Sequence, residues 1–262
     1  MTRILVTNDD GVDAPGIAAL AAAASAAGHE VVVAAPAEEA SGMSAALTAV
    51  TSEGRILMER RPLGYGVAAS PAYIVMLSFL EVFGAPPELV LSGINRGANA
   101  GNAVLHSGTV GAALTAAAHG ARAMAVSLDV IDWSSDTSRG GAAITVADDA
   151  ALHWTTAAGM AAGLLDDLAA MPAGTVLNLN VPDRAEPPEL RQVTLATFGQ
   201  AQMAIAESGE GFVRMSVHQT TRRPEPGTDL AVLAEGFATV TALTPPAEAR
   251  GVVIPRQRTA RS

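Results

Sequence analysis

Residues 3 to 7 (Arg-Ile-Leu-Val-Thr) are apolar on both faces of a strand. Within about thirty residues, the length of a βαβ half-unit, the chain runs through an acidic loop and an alanine-rich stretch into a second apolar run, Glu30-Val-Val-Val-Ala-Ala35. A strand that is apolar on both sides must be covered twice, and a parallel sheet between helical layers does that. The stretch from about Pro15 to Ala27, closed by Gly28, supplies the first helix. The pattern recurs, with a helix over 71–83, a strand over 88–92, a helix over 107–119 and a strand over 123–128. The expected fold class is therefore α/β, with a doubly wound, mostly parallel, Rossmann-like sheet.

After Asp129 the character changes. Residues 133–141 are polar and glycine-rich and read as a surface loop, either a lid or a solvated connection, ahead of a helix over 148–169. Residues 175–181 form a strand halted by Pro182. Val193 to Phe198 and Gly211 to His218 read as strands of a hairpin-rich extension, and 222–227 as a linker. A short helix over 228–235 and a strand over 237–243 follow. The expected division is an α/β core over 1–190 and a C-terminal extension over 191–262.

Composition removes several chemistries. The chain has 262 residues, long enough to bury about three quarters of its unfolded surface. It has no cysteine, which excludes disulfides, thiolate metal sites and a cysteine nucleophile, and favours the cytoplasm as compartment. The 16 basic residues are all arginine, so a P-loop lysine, a Schiff base and a lysine general base are also excluded. A net charge of -10 opposes nucleic-acid binding but tolerates a small phosphate ester whose charge a metal offsets. No apolar run reaches the roughly 18 residues of a membrane span, and a strand starts too early for a signal peptide; the expectation is a soluble, cytoplasmic protein with no membrane partner.

Chemistry-bearing residues follow the strands. The first strand runs into Asp9-Asp10-Gly11, adjacent carboxylates before a turn, an arrangement suited to a hard divalent cation; an isolated Asp-Gly is more often only a turn. Ser41-Gly42 follows the second strand and is a weak signal alone. After the third come Ser92-Gly-Ile-Asn95-Arg-Gly97-Ala-Asn99-Ala-Gly101, whose glycines, four apart, do not make a dinucleotide fingerprint. An amide oxygen there, from Asn95 or Asn99, can complete a cation shell without adding charge. Ser107-Gly108-Thr109 opens a helix, where amides and hydroxyls can hold a phosphoryl group or where serine simply caps. The five histidines show no paired metal-ligand spacing; His29 reads as a surface residue, while His106 adjoins the phosphate segment.

With these motifs in this order the chain resembles the SurE survival-protein family, metal-dependent nucleotidases and acid phosphatases acting on nucleoside monophosphates. The residues that carry the resemblance are Thr7-Asn-Asp-Asp-Gly11 with Ala14-Pro-Gly-Ile17, Ala35-Pro36 with Ser41-Gly42, Ser92-Gly-Ile-Asn95 with Gly97, Asn99 and Gly101, Ser107-Gly-Thr-Val110, and Leu177-Asn-Leu-Asn-Val-Pro182. The resemblance implies Asp9, Asp10, Ser41 and Asn95 as ligands of one divalent cation per subunit. It implies a phosphate position at Ser107, Gly108 and Thr109, beside which Asn99 is expected. Asp9, Asp10, Asn95 and Ser107 are the expected catalytic set, with Asp9 also a candidate to orient water. Oxygen-only ligation favours magnesium or manganese, with calcium acceptable in crystals, over zinc. The resemblance further implies a homodimer or homotetramer that exchanges C-terminal elements, so 191–262 is expected to hold an oligomerisation arm and a return to the core.

Three segments depart from the family pattern: His106 stands where a tyrosine is usual, Ala69-Ser-Pro-Ala-Tyr73 replaces Gly-Thr-Pro-Ala-Asp, and the aromatic segment ahead of Thr228-Asp229 is degraded. They bear on the leaving group and the exchanged arm, and leave the metal shell untouched. A haloacid-dehalogenase-type phosphatase would need a second aspartate two positions on and a lysine. A zinc deacetylase of the His-Pro-Asp-Asp type would need a histidine near residue 7. The remaining alternatives are a noncatalytic nucleotide- or metal-binding module on the same scaffold, and a phosphatase of a non-nucleotide phosphomonoester.

Overall fold

The structure is a computed structural model that describes residues 1–130, 148–198, 201–209, 211–219 and 224–249. The strands are β1 (Arg3–Thr7), β2 (Glu30–Pro36), β3 (Thr51–Ser52), β4 (Arg55–Ile56), β5 (Met58–Arg60), β6 (Tyr65–Val67), β7 (Leu89–Arg96), β8 (Arg122–Asp129), β9 (Val176–Pro182), β10 (Leu190–Gln192), β11 (Ala201–Gly209), β12 (Phe212–Gln219) and β13 (Ala238–Leu243). The helices are α1 (Pro15–Ala26), α2 (Pro71–Phe79), α3 (Gly108–Ala118), α4 (Trp154–Gly163), α5 (Leu165–Ala170) and α6 (Asp229–Ala234). Nine strands form one sheet in the order β10-β13-β9-β8-β7-β1-β2-β6-β5, while β11 with β12 and β3 with β4 form separate two-stranded sheets.

From β6 to β9 the sheet is parallel, and β13 runs antiparallel to β9. The chain winds outward from β1 through β2 to β6 and β5, then crosses back to the other side of β1 and winds outward again through β7, β8 and β9. The winding direction therefore reverses between β1 and β7, and the crevice at their carboxyl ends is where open α/β sheets bind ligands.

Side-chain alternation sorts the sheet into two cores. Ile4 and Val6 of β1, Leu89 and Leu91 of β7, and Met124, Val126 and Leu128 of β8 face α1 and α4, with Ile17, Leu20, Trp154 and Ala157. Leu5, Val90, Ala123 and Ala125 point to the other layer, with Ile74 and Val75 of α2 and Val110, Ala113 and Ala116 of α3. Burying residues such as Ile4, Leu91 and Met124 stabilises the fold by roughly 2 kcal/mol each. The alanines of α3 and β8 leave little bulk between helix and sheet. Gly16 acts similarly on the opposite face: a Cβ there would stand 2.2 Å from Ile94 O, so only glycine lets α1 start against β7.

The doubly wound core follows the expected order, with differences toward the C-terminus. The helix expected over 148–169 is a 3-10 turn at Asp149–Ala151 followed by α4 and α5. Asp148 caps the short turn, Leu152 is extended, and His153 N donates to Asp183 Oδ1 at 2.8 Å instead of continuing a helix. The strand expected at Val193–Phe198 is a connection; the partner of β12 is β11, at 201–209. Val193 N still donates to Val240 O of β13, but beyond it the segment bonds to the start of α6: Ala196 N donates to Asp229 Oδ1 at 2.8 Å and Thr194 O accepts from Asp229 N at 2.9 Å. The loop expected over 133–141 lies outside the described residues, as does part of the linker over 222–227. Among the described residues no helix is long and apolar enough to cross a membrane.

Candidate active site

The carboxyl end of β1 is clamped before it reaches its acids. Asn8 is buried; its Nδ2 donates to Gly11 O at 2.9 Å and its Oδ1 accepts from Gly11 N at 3.2 Å, closing the turn that holds Asp9 and Asp10. Gly11 takes φ +104°, a conformation that side chains disfavour. The loop after β2 is tied to this turn, with Val12 N donating to Pro36 O at 2.9 Å and Ala40 N to Asp9 O at 2.7 Å. Two loops distant in sequence are therefore joined through their backbones.

Asp9 is buried at the N-terminus of α3. The Thr109 hydroxyl donates to its Oδ1, and the backbone N–H groups of Gly108 and Thr109 also reach the carboxylate. A Cβ on Gly108 would lie 2.7 Å from Asp9 Oδ2, so the approach needs glycine. Burial raises the Asp9 pKa, and these hydrogen bonds act against that rise. The helix-opening groups expected to meet a phosphoryl group are, in this structure, turned on Asp9.

Asp10 is less well served. Its carboxylate accepts from the Arg96 N–H at the end of β7, but Oδ2 is buried without a hydrogen-bond partner. Burial and then the charge of Asp9 push its pKa up to about 7, with Glu39 and Asp149 adding to the rise. Asn95 stands on the same strand end: its Nδ2 donates to Gly97 O at 2.7 Å, which leaves Oδ1 as the electron-pair donor for an acceptor. Ser41 is exposed, and its hydroxyl donates to Glu39 Oε1 at 2.7 Å. Asp9, Asp10 and Asn95 thus share the β1 and β7 tips, while Ser41 is on the adjoining loop in contact with a glutamate.

Ser107 accepts from Val110 N at 3.1 Å and so caps α3. Asn99 is buried and fixed on all sides: Nδ2 donates to Ser127 Oγ at 2.9 Å, its N–H to Asn180 Oδ1 at 2.8 Å, and its carbonyl accepts from Asn178 Nδ2 at 2.8 Å. The alternating asparagines of β9 are therefore braces of the Asn95–Gly101 loop. His106 is exposed at the end of a 3-10 turn over Gly101–Leu105. Among the described residues no group of three or more histidine, cysteine, aspartate or glutamate side chains gathers to hold a metal.

Sequence reasoning gave no role to Asp229. It is fully buried at the start of α6, where Oδ2 accepts from Gly101 N at 2.7 Å and Oδ1 from Ala196 N and Leu230 N, both at 2.8 Å. It joins the glycine-amide loop to the C-terminal extension, beside a small apolar cluster of Ala100, Ala196, Leu230 and Leu233. The only sequence signal was Thr-Asp ahead of a short apolar run, the pattern of an ordinary helix start.

A family model described as survival protein SurE matches residues 4–205. The chain belongs to the SurE survival-protein family. A 5'-nucleotidase SurE from Rhizorhabdus wittichii is 36% identical over 253 residues, 92% of either chain. One from Caulobacter vibrioides is 35% identical over 253 residues, 92% of this chain and 89% of that one. In three dimensions the chain is similar to the SurE protein from Aquifex aeolicus, with a TM-score of 0.72 at 26% identity over 94% of this chain and 95% of that one.

Proposed function

We propose that this protein is a divalent-metal-dependent 5'-nucleotidase that hydrolyses nucleoside monophosphates to nucleoside and phosphate. The observation that carries the reading is the pair of buried Asp9 and half-buried Asp10 at the reversal of the sheet, where the buried Oδ2 of Asp10 has no hydrogen-bond partner. Two adjacent carboxylates with a third, Glu39, close enough to add to the Asp10 shift make a place of unbalanced negative charge. A hard cation matches that charge and that donor set. Relatives named 5'-nucleotidase over nearly the whole chain support the reaction type.

Asp9, Asp10 and the Asn95 amide oxygen would hold the cation, with Ser41 joining once its hydroxyl leaves Glu39. Magnesium or manganese suits these oxygen donors. When bound, the cation supplies charge neutralisation at a phosphoryl oxygen and a site where water is activated. The Thr109 hydroxyl fixes the Asp9 carboxylate, and Ser107, which caps α3 beside it, would form the phosphate side. The Asn99 braces hold the Asn95 loop at fixed distance from the acids, so little reorganisation is left for the reaction itself.

The β11–β12 hairpin stands outside the main sheet and exposes Phe212 and Val213, which suits the exchanged arm of a homodimer or homotetramer. Light scattering on the full chain, and on a chain with Phe212→Ser, checks that role. Phosphate release from nucleoside 5'-monophosphates should require added magnesium or manganese and should vanish in Asp9→Asn with the melting temperature retained. Metal binding without turnover of any phosphomonoester would replace this reading by a noncatalytic binding module.

A further inference from the structure

The rim of the acid pair carries a cation of the chain's own. Arg96 ends β7 one residue beyond Asn95, and its backbone N–H reaches the Asp10 carboxylate. Its guanidinium is paired with Asp149, Nη1 lying 3.1 Å from Oδ1, a buried oxygen that accepts no aligned hydrogen bond and is compensated by this charge. Asp149 is held from behind. It opens the 3-10 turn ahead of α4, its carbonyl accepts from Trp154 Nε1 at 3.0 Å, and Trp154 is buried in the core shared with α1.

Asp10 is the second carboxylate on this rim. Asp149 is near enough to add to the rise of its pKa, and Asp10 Oδ2 is buried without a hydrogen-bond partner. A guanidinium stays charged and donates in a planar fork that matches a carboxylate. An Arg96 side chain bonded to Asp10 would satisfy that oxygen and cancel the negative charge a divalent cation requires. Oδ2 makes no such bond in this structure, and the guanidinium is paired with Asp149 instead.

Building on the metal-site reading, we infer that Asp149 is a positioning residue that holds the Arg96 guanidinium off Asp10 and so keeps the acid pair open to a divalent cation. Direct attraction between Asp149 and the cation is the smaller effect, because the Asp149 side chain is 47% exposed and solvent screens its charge. Losing the Asp149 carboxylate acts twice in one direction: it removes a negative charge from the rim and releases a positive one onto a ligand. The second effect dominates. Since it runs through Arg96, the two residues are coupled and their substitutions do not add.

The test is calorimetric titration of manganese into the full chain as wild type, Asp149→Asn, Arg96→Gln and the double variant. Asp149→Asn should raise the Kd by about tenfold or more. Arg96→Gln should leave it at or below the wild-type value, and the double variant should return to within about threefold of Arg96→Gln. A turn that had only lost its fold would not be repaired by removing Arg96, so the recovery separates positioning from structure. Asp149→Ser repeats the comparison where Asp149→Asn does not melt cooperatively. An equal loss of affinity with and without Arg96, an unchanged Kd in Asp149→Asn, or a loss in Arg96→Gln alone overturns the inference while leaving the metal site intact. A wild-type chain that binds no manganese overturns both.

Discussion

Two carboxylate sites in this molecule, Asp229 at the start of α6 and the Asp9–Asp10 pair after β1, differ in what surrounds them. Asp229 accepts three backbone N–H groups across its two oxygens and ties the Gly101 loop to Ala196 and α6. Asp10 has one oxygen without a partner and Asp9 for a neighbour. Burial raises the pKa of both, but its consequences diverge. A fully bonded carboxylate is a fastening, because removing it orphans the donors around it. A carboxylate left short of partners beside another carboxylate is a demand for positive charge.

The sharpest way to break this contrast is to neutralise each acid. Asp9→Asn and Asp10→Asn should each lower kcat by about 10³-fold or more with magnesium or manganese present, while unfolding in metal-free buffer stays as cooperative as in wild type. Asp229→Ala should show the opposite balance, a loss of roughly 3 kcal/mol or more in denaturant unfolding from three orphaned amides. Equal loss of folding stability at the two sites would abolish the distinction.

A pH series sharpens it further. The folded protein holds the Asp10 proton up to about 7, whereas the unfolded chain releases it near 3.8. Between those values the folded state binds more protons, so this group's contribution makes stability fall as pH rises. In metal-free buffer the melting temperature of wild type should therefore drop relative to Asp10→Asn from pH 4 to pH 7, and saturating magnesium or manganese should oppose that drop by stabilising wild type more than the variant. A gap that does not change with pH would show that Asp10 meets no such charge imbalance. The smallest effect is expected at Ser41→Ala, which should weaken metal affinity by about tenfold or less by calorimetry, because Ser41 is exposed and engaged with Glu39.

The doubly wound core was legible because apolar runs such as Ile4–Val6 and Leu89–Leu91 carry their own two-sided pattern. The small strands β3 to β6 were not, since two or three residues, mostly exposed, leave no period to read. The break between α4 and α5 and the connection at 193–198 were also hidden, because each depends on a distant partner: Asp183 for His153 and Asp229 for Ala196.

In the candidate site the sequence alone determined the chemistry available: adjacent acids after a strand, an amide-rich glycine loop and a Ser-Gly-Thr helix start, with no cysteine or lysine as alternatives. Each of these is a local property, written in residue type and spacing. Which groups meet was decided by the tertiary structure. Thr109 is bonded to Asp9 across a hundred residues of chain, Asn99 is braced by β9, and Arg96 is paired with Asp149 ahead of α4. The physical reason is that hydrogen-bond satisfaction and charge pairing are sums over neighbours, and most neighbours here are contributed by segments far apart in the chain.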